Sequence, residues 1–306
     1  GCHLVTKYDT PAHHHHETGK PGGQCVGCHM PQTTYMVNDP RRDHSFRPPR
    51  PDLSVEFRTP NACNQCHADK SADWAAKAVS KWFGARRPAA PLALAAAFHG
   101  ADHGAPQAAS ELLAIASDPE RPAIVRAAAI DRLGSMPSEG MLSIVRKGLS
   151  DPDDMVRHAS LSSLEALPPE QRLPLAAPLL RDPRRIVRIE AARVLAPVPD
   201  SAMNSADRGA FLLAAGELEA SHRLNADQAE SVTALASFQR NRGQIQEAEA
   251  ALRRVVQAEP DFVPAWVNLA DLLRSTGQEA EAETVLRKGI SHVPDAAALH
   301  HSLGLS

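Results

Sequence analysis

Hydrophobic positions fall into three regimes along the chain. Residues 1–70 carry few large apolar side chains and no sustained period. Pro31, Pro40, Pro48, Pro49, Pro51 and Pro60 are expected to break any helix there. From Ala72 to Phe83, the residues Trp74, Ala78, Val79 and Trp82 recur at helical spacing and predict a helix. Beyond residue 90 the apolar set is mostly alanine, leucine and valine, which suits helices packed through small side chains.

Two internal periods follow. Asp118-Pro119, Asp151-Pro152 and Asp182-Pro183 lead to Val125-Arg126, Val156-Arg157 and Val187-Arg188, so the Val-Arg pairs stand 31 residues apart. Each Asp is expected to cap a helix whose first residue is the Pro. Ala127, Ala128 and Leu133 then share one face, as do Ala159, Leu161 and Leu164, and Ala191, Ala192 and Leu195. An apolar helix precedes each segment, such as Met141 to Leu149. This pattern resembles HEAT repeats. A period of 34 residues comes next: Gly243 recurs as Gly277, Ala248 as Ala282, Leu252 as Leu286 and Pro260 as Pro294. Trp266-x-x-Leu269-Ala270-x-x-Leu273 resembles the first helix of a tetratricopeptide repeat, with Ala270 in place of the usual glycine. Ala210 to Leu224 fits the second helix of an earlier repeat, and Ala298 to Leu305 the first helix of a later one.

Charge adds one asymmetry. Residues 1–90 hold 12 Lys and Arg against 8 Asp and Glu, and the remainder 21 against 28, within a net charge of -3. Nothing in this balance suggests a nucleic-acid partner. The longest apolar run, Pro91 to Phe98, is far short of the ~18 residues of a membrane span, so no transmembrane span is expected. Neither repeat region shows a catalytic constellation. Glu247, Glu249, Arg253 and Arg254 read as a solvated helix face, and partner binding is the expected role of the repeats.

All five cysteines lie within the first 66 residues. Cys25-Val26-Gly27-Cys28-His29 and Cys63-Asn64-Gln65-Cys66-His67 are C-x-x-C-H motifs, the spacing of c-type haem attachment. The two thiols form thioethers to the porphyrin, and the adjacent histidine ligates the iron. The competing readings are half of a zinc site or a disulfide. Cys2-His3 looks like the end of a third motif whose first cysteine precedes Gly1, so the expectation is a C-terminal piece of a longer protein carrying three haems.

His3, His29 and His67 are thus the expected proximal ligands. Distal candidates are the run His13, His14, His15 and His16, and His44, with Met30 and Met36 as softer alternatives. The bland readings are an expression tag or solvated loop for the run, and a surface histidine for His44. His99, His103 and His158 fall in the later helical region.

The cysteine motifs do not stand alone. Cys28-His29-Met30-Pro31, Thr34-Tyr35-Met36, Arg41-Arg42-Asp43-His44-Ser45-Phe46, Pro49-Arg50-Pro51-Asp52-Leu53 and Thr59-Pro60-Asn61-Ala62-Cys63 together resemble multihaem c-type cytochromes of the cytochrome c554-like group. The resemblance covers about residues 1–85. It implies export to the periplasm or beyond, closely stacked haems, and electron transfer. It favours His44 and the His13–His16 region as axial ligands. The expected fold is mainly α: an irregular haem-wrapped N-terminal domain over residues 1–90, then an α-solenoid with HEAT-like helix pairs over 91–200 and TPR-like pairs over 201–306. The expected partners are redox proteins or further copies of the chain. The alternative function is a multihaem oxidoreductase acting on a small nitrogen compound, its active haem upstream of Gly1. A repeat scaffold with mainly structural haems is a third reading.

Overall fold

The computed structural model describes residues 4–35, 39–84, 90–136 and 140–305, with backbone alone at 90–92. The chain divides into two compact units, Gly1–Ala108 and Ala109–Ser306.

The first unit contains α1 (Val5–Tyr8), α2 (Pro11–His14), α3 (Cys25–His29), β1 (Gln32–Tyr35), β2 (Asp39–Arg42), α4 (Pro51–Phe57), α5 (Cys63–Cys66), α6 (Ala72–Phe83) and α7 (Ala90–Asp102). The prolines do not exclude helix everywhere. Pro51 stands at the start of α4, where no amide donor is missed. Strands β1 and β2 form an antiparallel hairpin with Gln32 opposite Arg42 and Tyr35 opposite Asp39. Pro40 is tolerated in β2 because a two-stranded ribbon has only edges. Helix α6 begins as its spacing predicts: Ser71 Oγ accepts from the Trp74 amide at 3.1 Å. Its Ala75 and Val79 are buried beside α4. Among the described residues of this unit, no leucine, isoleucine or aromatic side chain is buried. The polypeptide alone supplies almost no large-side-chain core here.

The second unit continues with α8 (Ala108–Ser117), α9 (Ala123–Gly134), α10 (Met141–Gly148), α11 (Asp154–Ser162), α12 (Pro169–Ala176) and α13 (Arg185–Leu195). Next comes α14 (Ser205–Leu224), then α15 (Ala229–Asn241), α16 (Ile245–Ala258), α17 (Val263–Ser275), α18 (Glu279–His292) and α19 (Ala297–Leu303). Val156, Leu161, Leu164, Val187 and Leu195 are buried along the stack of α9, α11 and α13. The helices approach closely. A side chain at Gly148 would come within 2.1 Å of Ser160 Oγ, and one at Gly134 within 3.0 Å of Ser163 Oγ.

The Asp-Pro pairs do not start the helices. Helices α9, α11 and α13 begin two to four residues after each Pro. Each Asp instead folds its own loop, accepting from the amide two residues on: Glu120 to Asp118 at 3.0 Å, Asp153 to Asp151 at 3.0 Å, and Arg184 to Asp182 at 2.8 Å. Asp151 and Asp182 also accept from arginines of the preceding repeat, Arg126 and Arg157. Arg188 continues this ladder onto Glu217 of α14, with Nη2 donating to Oε1 at 2.6 Å. A second polar node is buried: Glu190 accepts from Arg193 at 2.6 and 2.8 Å and from Ser162 Oγ at 2.5 Å.

The 34-residue period is structural as well. Gly243 and Gly277 take φ of 76° and 78° after α15 and α17, a left-handed turn that a Cβ disfavours. Trp266 Nε1 donates to Pro260 O at 2.8 Å, and His300 Nε2 meets Pro294 O at 2.7 Å, the same contact one repeat later. Ala270 and Ala282 are fully buried between paired helices.

Candidate cofactor-binding site

The cysteines of each C-x-x-C-H motif share one short helical turn, α3 or α5. The segments carrying the two motifs meet. Gln65 Nε2 donates to Gln32 O at 2.9 Å, and the Cys28 thiol feels the thiols of Cys63 and Cys66. Cys25, Cys28, Cys63 and Cys66 form no disulfide. Burial, and then the neighbouring thiols, push Cys28 above the usual thiol range; burial does the same to Cys63. Nucleophilic cysteines have lowered values, the opposite direction to Cys28 and Cys63. A tetrahedral zinc site needs four ligands, and among the described residues no three His, Cys, Asp or Glu side chains converge on a metal position.

The histidines are arranged in pairs. His13 and His29 have ring centres 6.2 Å apart and planes within 8° of parallel. His16 and His67 have ring centres 6.1 Å apart at 38°. Two imidazoles on opposite faces of one metal, each at a bond of about 2 Å, would have ring centres roughly 6 Å apart.

One member of each pair has its tautomer set by a backbone carbonyl. His29 Nδ1 lies 2.9 Å from Arg47 O, and His16 Nδ1 lies 2.5 Å from His14 O. A carbonyl only accepts, so each Nδ1 carries a proton, and in the neutral ring Nε2 keeps its lone pair. This is the outer-shell arrangement that orients metal-binding histidines. Burial, reinforced by His29, His14 and His15, lowers the His13 value and favours the neutral, ligating form.

Local backbone explains how one run of histidines serves different roles. His13 and His14 close α2, His15 takes φ of 55°, and His16 emerges beyond that left-handed turn. The turn at Pro21–Gly23 then closes on the run: a Cβ at Gly22 would come within 2.4 Å of the His16 ring. Only glycine permits that approach. His14 is differently engaged. Its Nδ1 accepts from the His16 amide at 3.2 Å, and its Nε2 is buried without a hydrogen-bond partner, 3.8 Å from Asp9 Oδ1.

Aromatic rings border both pairs. Phe46 stacks on His29 with centres 4.7 Å apart, and Phe83 meets His13 edge-on at 6.2 Å. Trp74 meets His67 at 4.9 Å, and Trp82 stacks on His15 at 4.3 Å. Both tryptophans remain 37% exposed, so they line the unit's outer wall beside the histidines.

His44 is exposed just beyond β2, and no ring contact joins it to either pair. Cys2, His3 and Met36 lie outside the described residues. His99 sits on α7 and His103 just after it; their rings stack at 3.9 Å, and the His99 ring meets Phe57 at 4.6 Å. Spacing could not pair His13 with His29 or His16 with His67, because the left-handed His15 decides which imidazole faces which motif.

Comparison with known families bears on the helical part. Residues 77–165 and 109–196 match a model of HEAT repeats, and residues 239–304 match one of the tetratricopeptide repeat. The chain carries both repeat types, and such repeats serve protein–protein interaction. No curated protein and no solved structure matches the chain. Among the described residues, no helix is long and apolar enough to cross a membrane.

Proposed function

We propose that the first unit is a c-type haem electron-transfer module and that the repeats dock its protein partner. The observation that carries this reading is the facing of His13 on His29 and of His16 on His67, each near 6 Å and each with one tautomer set by a carbonyl. In this reading Cys25 and Cys28 attach one haem, and Cys63 and Cys66 another. His29 and His67 are the proximal ligands, and His13 and His16 the distal ones. His14 orients His16 through its ring and its carbonyl. The shortage of large buried side chains in the first unit supports it too, because a porphyrin supplies the missing apolar bulk. Cys2 and His3 would hold a third haem by the same chemistry.

Bound haem supplies a one-electron couple. The chain's residues do the rest. His13 with His29, and His16 with His67, would hold the metal through neutral imidazoles, and the Phe46, Trp74 and Phe83 rings would lie beside them. With two histidines available to each haem, no open metal position would be left for a substrate, which favours electron transfer over catalysis. The proposal carries export with it, because thioether attachment of this type takes place outside the cytoplasm.

Intact mass of the protein expressed with a cytochrome c maturation system tests the reading. The expected mass is the polypeptide plus one haem for each complete motif, with a low-spin six-coordinate spectrum. An unmodified mass after such expression overturns the proposal. A high-spin spectrum overturns the axial assignment alone.

A further inference from the structure

The two complete motifs share one covalent pattern, but different groups close their helical turns. Side chains commonly complete the carbonyls at a helix end. At α3 that side chain is Arg42, whose Nη1 donates to Val26 O and Met30 O, both at 3.2 Å. Arg42 reaches them from β2, where it stands opposite Gln32. At α5 the donor is Asn64, a residue of the motif itself. Its Nδ2 donates to His67 O at 3.1 Å and to Lys70 O at 2.7 Å. A cation closes one turn and a neutral amide the other.

Neighbouring charges do not even this out. Among the described residues up to 84, Arg42 and Arg50 are the only Lys or Arg that are not exposed, and Arg50 is paired with Asp52 at 2.7 Å. The other cations of that segment face solvent, which screens them. Arg42 is half-buried, bonds carbonyls and, among the described residues, makes no ion pair. Its guanidinium touches α3 directly, whereas α5 meets the hairpin only through the Gln65 side chain on Gln32 O. The carbonyls on the imidazoles are evenly shared, one on His29 and one on His16.

We propose that Arg42 sets the redox order of the two motifs: the haem at Cys25–His29 has the higher reduction potential and takes the electron from the haem at Cys63–His67. The inference rests on the haem reading above. A fixed, half-buried cation favours an added electron beside it, and Asn64 offers the other motif no such charge. The transfer moves one electron. One ferrous iron at Cys63–His67 becomes ferric, one ferric iron at Cys25–His29 becomes ferrous, and no bond forms or breaks.

A redox titration of the haem-loaded full chain, followed by electron paramagnetic resonance, tests this. Low-spin g values depend on the angle between axial imidazole planes, 8° in one pair and 38° in the other, so the two signals separate. His13→Ala and His16→Ala assign them. The expected result is that the Cys25–His29 haem reduces first. Arg42→Gln keeps a donor and removes the charge; it lowers the preference of the electron for that haem by on the order of tenfold and leaves both haems low-spin. Arg42→Lys keeps the charge and the order. A Cys63–His67 haem that reduces first or equally in the unaltered protein overturns the proposal alone, and this is read without any change at Arg42. So does a haem-loaded Arg42→Gln protein with the same gap between the two potentials as the unaltered one. An unmodified mass overturns the haem reading and this inference with it.

Discussion

Arg157 grips Asp182 with both edges of its guanidinium, Nε donating to Oδ2 at 2.8 Å and Nη2 to Oδ1 at 3.0 Å, across 25 residues of sequence. Its remaining nitrogen, Nη1, donates to Asp151 O at 2.8 Å and Pro152 O at 3.0 Å. One side chain thus ties its own repeat's loop to the next repeat's loop. Only 12% of the Arg157 side chain and 8% of the Asp182 side chain reach solvent. Arg157→Leu strands a buried carboxylate and is expected to cost about 3 kcal/mol. Adding Asp182→Leu should restore much of that loss, because the uncompensated charge goes too. A double-mutant cycle by urea unfolding checks both outcomes.

Close packing between repeats gives a second expectation. Ser160 is fully buried and its Oγ donates to Val156 O at 2.8 Å, so it cannot swing away from a methyl group at Gly148. Gly148→Ala is expected to destabilise the second unit by roughly 1–3 kcal/mol, despite alanine's higher helix propensity. Thermal melting followed by circular dichroism reads this directly.

Acid should loosen the same unit. Burial works to raise the Asp151 and Glu190 carboxyls, yet Arg126 for the former, and Arg193 with Ser162 for the latter, hold both below the ordinary range. Arg242 lowers Asp200, and Arg188 lowers Glu217. A carboxyl depressed in the folded state stabilises fully above its unfolded value, near 4. That stability is lost as pH falls through the depressed folded values. Urea midpoints should therefore hold level from neutrality down to about pH 5 and then drop. Arg188→Gln should flatten part of the drop.

The axial assignment predicts different behaviour for adjacent histidines. His13→Ala and His16→Ala should each convert one haem to a five-coordinate, high-spin form. His44→Ala should leave the two haems at Cys25–His29 and Cys63–His67 low-spin. His14→Ala removes an acceptor for the His16 amide and should broaden the low-spin signal without abolishing it. Electron paramagnetic resonance of the oxidised protein separates these cases. A high-spin signal from His14→Ala equal to that from His16→Ala would refute the roles given to them.

Much of this was legible in sequence. Covalent spacing defines the C-x-x-C-H motifs, and the repeats recur as side chains at fixed periods; α6, α14 and α19 lie where period and composition place them. Chemistry carried by three-dimensional return was not legible. Pro51 reads as a breaker until its place at a helix start is known. Asp151 and Asp182 read as caps, because the arginine that needs each carboxylate belongs to the preceding repeat. The β1–β2 hairpin lacks alternating apolar residues, since all of Gln32–Tyr35 is exposed.

The last rung of the ladder joins repeats of different kinds. Arg188 belongs to the final Val-Arg segment, while Glu217 lies on the helix that leads into the 34-residue array. That helix also packs against both α13 and α15. A cut made where one repeat type gives way to the next would leave a guanidinium without its acceptor and bare the Phe211 and Leu218 face. The two arrays are thus distinct as sequence families but indivisible as a folding unit: a fragment made for expression or crystallisation has to keep α14 with whichever side it retains.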